Sequence, residues 1–145
     1  MDFFSQLFSN NILWTSIFAC FLAQFIKVFT GKGKIIELSR MFMSGGMPSS
    51  HSSFVTSLST LVGIERGFDS IEFAMCVVFA MIVMYDASGV RRSVGKQAAI
   101  LNRIVGDLQH KKHIEHETLK ELVGHTPKEV ILGAILGIMV GVFMA

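Results

Sequence analysis

Residues 130–145 read VILGAILGIMVGVFMA and carry no charged side chain. Windows 11–26 and 73–85 are uncharged in the same way, and a more polar window covers 52–64. The chain is 51% hydrophobic and 17% charged, which is too apolar for a typical soluble domain. A transmembrane helix needs about 20 apolar residues, and flanking residues can extend shorter windows. We therefore expect an all-α, polytopic integral membrane helix bundle of about four transmembrane helices, with residues 1–145 forming one membrane domain.

Basic residues are unevenly divided between the segments that join these windows. If four helices cross in alternation, residues 31–48 and 87–128 share one side and hold eleven of the thirteen lysines and arginines. An excess of Lys and Arg marks the cytoplasmic side of a membrane protein. The pattern thus predicts a plasma (inner) membrane protein with both termini outside and a cytoplasmic loop at about 87–125.

A short polar stretch, GGMPSSH at 45–51, precedes the second apolar window. Pro48 suits the first turn of a helix, and Ser49 or Ser50 can cap that helix. His51 is therefore expected at the N-terminal end of the second helix, on the cytoplasmic side.

The stretch GHTPKEV at 124–130 precedes the last apolar window. Thr126, followed by Pro127 and by Glu129 three places later, has the pattern of a capping box with proline in the first turn. His125 is therefore expected at the N-terminal end of the last helix, at the same membrane boundary as the histidine of the second helix.

Charged side chains are expected near these two histidines. Arg91 and Arg92 follow the third helix, and Lys27 lies near the cytoplasmic end of the first. Asp86 ends the third helix, where pairing with one of the arginines is favoured over proton transfer. A neutral histidine can attack phosphorus, a protonated one can donate to the leaving oxygen, and cations offset the developing charge. Helix N-termini also attract phosphate, so the pattern predicts a phosphate site that needs no metal or cofactor.

Two other patterns leave alternatives open. Gly133, Gly137 and Gly141 lie four residues apart, a spacing that lets another helix approach closely, within the chain or across a homodimer. HKKHIEHE at 110–117 has three histidines that could bind a metal, although a solvated, charged loop helix is favoured.

These residues resemble the type 2 phosphatidic acid phosphatase and vanadium haloperoxidase superfamily, in particular its short divergent membrane branch. The family pattern is KxxxxxxRP, then PSGH, then SRxxxxxHxxxD. PSSH at 48–51 is similar to the second element, and GHTPKEVILGAILG at 124–137 to the end of the third. The resemblance implies a metal-independent lipid phosphate phosphatase that acts through a phosphohistidine.

Carried over by position, the resemblance makes His125 the nucleophile and His51 the general acid. Glu129 stands where the family has an aspartate that orients the nucleophile, and Ser49 and Ser50 match phosphate-contacting positions. The implied partners are a phosphorylated membrane lipid and the bilayer, with no nucleic acid. Phosphatidylglycerol phosphate and phosphatidic acid fit a cytoplasmic site, and a polyprenyl diphosphate is a further alternative.

The sequence departs from the family pattern at the arginine expected six residues before the nucleophile, where Leu119 stands. Arg91 or Arg92 would have to supply that charge from another helix, and no arginine–proline pair follows Lys27 at the spacing of the first element. These departures support the alternative function, a non-catalytic binder or transporter of phosphorylated lipids. A structural membrane subunit would leave both histidines unexplained.

Overall fold

The computed structural model describes residues 2–30, 45–109, 119 and 124–145. These residues form helices and connections, with no strand among them, so the all-α prediction is confirmed. The helices are α1 (Phe3–Phe8), α2 (Asn11–Thr30), α3 (Ser50–Arg66), α4 (Ile71–Ser88), α5 (Val90–Gln109) and α6 (Pro127–Phe143).

Helix α3 lies at the centre of the bundle, where it packs against α2, α4 and α6. It is the helix with the most hydroxyl side chains, and its serines at 50, 52, 53, 57 and 59 are buried. The outer helices instead expose large apolar side chains, such as Phe21 on α2 and Ile82 on α4. Polar groups inside and apolar groups outside are the arrangement expected where lipid surrounds the bundle.

Hydroxyl groups of α3 bond both within the helix and to its neighbours. Ser53 Oγ donates to the Ala19 carbonyl of α2 at 3.0 Å, and Thr56 Oγ1 lies 3.1 Å from the Ala134 carbonyl of α6. Because lipid offers no hydrogen bonds, such groups must be satisfied inside the bundle. These bonds therefore fix α3 against both neighbouring helices.

The glycine face of α6 packs directly against α3. A Cβ atom added at Gly133 would meet the backbone of Ser49, and one at Gly137 would meet the backbone of Ser53. Gly141 continues the contact one turn further on. Packing within the chain therefore accounts for this glycine pattern, and a homodimer through the same three positions stays a prediction.

Two helical stretches among the described residues are long and apolar enough to cross a membrane. They are Asn11–Thr30, with 20 residues, and Ile71–Gly106, with 36 residues, which runs through α4 into α5. Helices α3 and α6 have 17 residues each, at the lower end of the transmembrane range of about 17 to 25. The expected count of four spans is thus not confirmed, although α6 is strongly apolar.

Helix α5 lies inside the stretch predicted as a cytoplasmic loop and was missed by the sequence analysis. Its available signal was amphipathic periodicity, with apolar side chains on one face and basic ones on another. The exposed large apolar residues are Val90, Val94, Ile100, Leu101 and Ile104, and the basic residues are Arg91, Arg92, Lys96 and Arg103.

Candidate functional site

The C-terminal end of α4 meets the N-terminal ends of α3 and α6 through backbone hydrogen bonds. The His125 N–H donates to the Ala87 carbonyl at 2.9 Å, and the Ser49 N–H donates to the Glu129 carbonyl at 2.9 Å. The first bond joins the residues before α6 to α4, and the second joins the start of α3 to α6. Both helix starts predicted to carry a histidine therefore lie at the same end of the bundle.

The two imidazoles are neighbours there. The ring centroids of His51 and His125 are 6.2 Å apart, with 64° between the ring planes. His51 is exposed, whereas His125 is only 2% exposed. The Nε2 atom of His125 is buried and has no hydrogen-bond partner among the described residues. A buried nitrogen without a partner is unfavourable for stability, which marks it as a candidate functional group.

Glu129 sets the orientation of the His125 ring. Its Oε2 atom lies 3.2 Å from His125 Nδ1 and accepts the Thr126 N–H at 3.0 Å, completing a capping box at the start of α6. Because an ionised carboxylate only accepts hydrogen bonds, Nδ1 must carry the ring proton. The other ring nitrogen, Nε2, then keeps its lone pair.

Lys27 is buried beside the start of α3. Its side chain is 3% exposed, and Nζ lies 3.4 Å from Ser50 Oγ. Ser49 caps α3, since its Oγ accepts the Ser52 N–H at 3.4 Å. The structure thus brings the lysine and both serines to the histidine end of the bundle, with both hydroxyls in contacts within the chain.

The two arginines at the start of α5 have different surroundings. Arg91 Nε donates to Asp86 Oδ2 at 2.6 Å, which confirms the prediction that Asp86 pairs with an arginine. Arg92 instead lines a cavity of about 380 Å³ that His125 and Glu129 also line. Only one of the two arginines is therefore ion-paired among the described residues.

Gly124 and Lys96 belong to this site and were missed by the sequence analysis. Lys96 lines the cavity, one turn beyond Arg92 on α5. Gly124 has a positive φ of 92°, and a Cβ atom there would lie 2.6 Å from the Arg91 carbonyl carbon. Only glycine fits this close approach, which holds the residue before His125 against the start of α5. The signal that could have found it was a glycine directly before the candidate nucleophile.

Leu119, which stands where the family pattern has an arginine, is held by α5. The Asn102 side chain bonds to the Leu119 carbonyl at 2.9 Å and to its N–H at 3.0 Å. Asn102 lies about 15 Å along the helix from Arg92, at a rise of about 1.5 Å per residue.

The histidine-rich stretch at 110–117 lies outside the described residues, which contain no group of three or more potential metal ligands.

A helical bundle with an apolar outer surface defines a membrane protein, and the histidines and cations gathered at one end of it form a candidate anion site. Residues 8–140 match the model of the Divergent PAP2 family, and the chain belongs to this family. It is 42% identical over 154 aligned positions, covering 97% of both chains, to the Uncharacterized membrane protein YuiD of Bacillus subtilis (strain 168). No solved structure matches the chain. The predicted resemblance to a divergent branch of the phosphatase superfamily is thereby confirmed.

We expect the stability of the protein to fall with acidification through His125. Burial lowers the pKa of His125 below its ordinary value of about 6.5, and the charge of Lys27 lowers it further, while the Glu129 hydrogen bond partly offsets both. The unfolded chain then binds the proton more readily, so the stabilisation is complete above pH 6.5 or so and is lost as pH falls towards the lowered pKa. Melting temperatures of wild type and His125→Gln in detergent, followed from about pH 8 down to pH 5, should show a steeper acid loss in wild type. Parallel curves would contradict this expectation.

Proposed function

We propose that this protein is a metal-independent lipid phosphate phosphatase that acts through a phosphohistidine. The observation that carries the proposal is the pair of imidazoles at a ring separation of 6.2 Å, one with a buried Nε2 that has no partner among the described residues. Membership of the Divergent PAP2 family supports the reaction class.

In the first step, His125 Nε2 attacks the phosphorus of the substrate. The bond from phosphorus to the lipid oxygen breaks, and His51 donates its proton to that oxygen as it leaves. Glu129 keeps the proton on Nδ1 and stabilises the positive charge that the ring acquires. The products are the dephosphorylated lipid and a phosphorylated His125.

In the second step, water attacks the phosphorylated histidine. His51, now neutral, accepts a proton from the water as the phosphorus–nitrogen bond breaks, which releases inorganic phosphate and restores both imidazoles. His51 thus acts first as an acid and then as a base.

The neighbouring polar groups would bind the phosphate oxygens in both steps. Lys27, Arg91 and Arg92 provide positive charge where negative charge develops, and Asp86 positions one of them by its 2.6 Å contact to Arg91. Ser49 and Ser50, at the start of α3, add their hydroxyls, and Ser50 adds a backbone N–H at the helix N-terminus, whereas the Ser49 N–H already bonds to the Glu129 carbonyl.

The proposed site faces the cytoplasm, at the inner face of the plasma membrane, with both termini outside. The support is the excess of basic residues in the segments that share its side. Lipid phosphates made on that leaflet, such as phosphatidylglycerol phosphate or phosphatidic acid, are then the expected substrates.

The test is release of inorganic phosphate by the purified protein in detergent. The protein is incubated with each of these lipids, and with a polyprenyl diphosphate, in excess EDTA. Release by wild type in EDTA, with loss in a His125 variant, is the expected result. No release from any of the lipids would defeat the proposal.

The alternative, a non-catalytic binder or transporter of phosphorylated lipids, is favoured by two features. Arg91 is already paired with Asp86, and the ring of His125 is almost completely buried. Lipid binding that survives His125→Ala, without phosphate release by wild type, would select this alternative.

Glu129→Gln is expected to lower phosphate release by about 10- to 100-fold, since the amide cannot stabilise a charged His125 ring. The glutamine can still accept the Thr126 N–H, so the helix cap is largely kept and the melting temperature should change little. Measuring kcat against pH separates stabilisation of the charged His125 ring from helix capping, because loss of the carboxylate should also shift the acid limb of the profile. A variant that loses stability and activity in proportion would indicate a capping role alone.

A further inference from the structure

We infer that the cavity beside His125 binds a second anionic group of the substrate, so that the preferred lipid carries two phosphate groups rather than one. The inference rests on the proposed function and deepens it. The cavity, of about 380 Å³, is lined by His125 and Glu129, and also by Arg92 and Lys96 of α5. Its volume lies at the lower end of the range for ligand pockets, about 300 to 1,000 Å³.

Charge is the first argument for an anion in this cavity. Arg92 and Lys96 are four residues apart on α5, a spacing that places like charges side by side and destabilises a helix. Neither side chain has an ion-pair partner among the described residues, unlike Arg91, which contacts Asp86 at 2.6 Å. An anion between the two cations would remove this repulsion and would bind both through charge-assisted hydrogen bonds.

Position is the second argument. Lys27 and Ser50 lie at the histidine pair, in contact with each other at 3.4 Å, and would meet the phosphate that reacts. Arg92 and Lys96 line the cavity that continues from His125 along α5. In this assignment Lys27 meets the reacting phosphate, Lys96 meets the neighbouring phosphate, and Arg92, which lines the cavity together with His125, serves both.

The walls of the cavity are the third argument. Gly46, Gly95 and Gly124 line it together with the cations. These glycines leave room for a compact polar group, and the described lining residues include no large apolar side chain to hold an acyl chain. The shared chemistry of the substrate is therefore a terminal phosphoryl group linked closely to a second phosphate. It is found in a lipid diphosphate and in a phosphodiester lipid that ends in a phosphate monoester.

Binding of inorganic pyrophosphate and of inorganic phosphate to the full-length protein tests the cavity without catalysis. Isothermal titration in detergent should show tighter binding of pyrophosphate, and Lys96→Gln should weaken pyrophosphate about tenfold more than phosphate. Arg103→Gln removes the same charge from an exposed position of α5 outside the cavity, and it should change neither affinity. Equal effects of Lys96→Gln and Arg103→Gln would overturn the inference.

Turnover then separates the two sources of the second phosphate and separates this inference from the proposed function. Three lipids of matched chain are compared: a monophosphate, a diphosphate and a phosphodiester ending in a phosphate monoester. We expect a higher kcat/KM for at least one of the two lipids that carry two phosphate groups. Lys96→Gln should reduce that preference over the monophosphate about tenfold. Release from all three at the same kcat/KM would refute the second subsite and leave the phosphatase intact. If none of the three lipids releases phosphate, the phosphatase is refuted, and the pyrophosphate titration would still decide whether the second subsite exists.

Discussion

His125→Asn is expected to reduce phosphate release to the uncatalysed level, a loss on the order of 10⁴-fold or more. Asparagine fills much of the same buried space and keeps the backbone N–H that bonds to Ala87 at 2.9 Å, but it cannot form a phosphorylated intermediate. The measurement is phosphate release, together with trapping of a radiolabelled phosphoprotein under alkaline conditions, where phosphohistidine survives. A labelled protein should form in wild type and be absent in the variant.

His51→Asn is the matched comparison, because it removes the other imidazole of the pair. With a lipid substrate it should lower turnover by about 10²- to 10⁴-fold, the usual contribution of a general acid. An aryl phosphate, whose leaving group needs no proton, should still phosphorylate His125 in this variant, and the label should then persist because water is no longer activated. A phosphoprotein in His125→Asn, or identical behaviour of the two variants, would contradict the assigned roles.

Gly137→Leu is expected to destabilise the bundle by about 3 kcal/mol or more, at the upper end of the range for overpacked cores. A Cβ atom at Gly137 would already lie 2.9 Å from the Ser53 carbonyl carbon, and it would also meet the Thr56 hydroxyl. Both contacts are with α3, so α6 must move away and the interhelical bond from Thr56 to Ala134 is lost. Thermal unfolding in detergent, followed by circular dichroism and size-exclusion chromatography, measures the effect.

Gly106→Ala is the control for this substitution. A Cβ atom added there meets nothing within 4 Å, and alanine favours a helix over glycine. Its melting temperature should equal or exceed that of wild type. If Gly137→Leu unfolds at the same temperature as the control, close packing of α6 on α3 is not what stabilises the bundle.

The helix ends of the site could be predicted from sequence because their signals are local. The capping box at Thr126 and Glu129 involves residues three apart, and it fixes where α6 begins. Ser49 gives an equally local start for α3 as its N-cap, whereas the prediction that Pro48 lies in the first turn is wrong, because Pro48 precedes the cap. Since alternating apolar helices bring such ends together, the proximity of His51 and His125 followed from the order of the helices along the chain.

The remaining features depend on contacts between distant residues, which one sequence does not encode locally. Helix α5 is an exception, because its amphipathic period is a local signal; it was missed because the sequence analysis interpreted its basic residues only as marks of the cytoplasmic side and as phosphate-binding cations. The role of Gly124 depends on its fit against Arg91, and the cavity at Lys96 exists only because the tertiary structure places this part of α5 beside His125. The glycine pattern of α6 left two partners open, and the observed contact with Ser53 required the three-dimensional arrangement.

The polar character of the central helix has a consequence for biogenesis. A segment with so many hydroxyl groups has little tendency to leave the translocon alone, and its most extensive helix contact is with α6, which is synthesised after α2, α3 and α4. We therefore expect α3 to remain at the insertion machinery, or at the membrane surface, until α6 has been synthesised. A nascent chain truncated before residue 127 should be a degradation substrate rather than a stable intermediate.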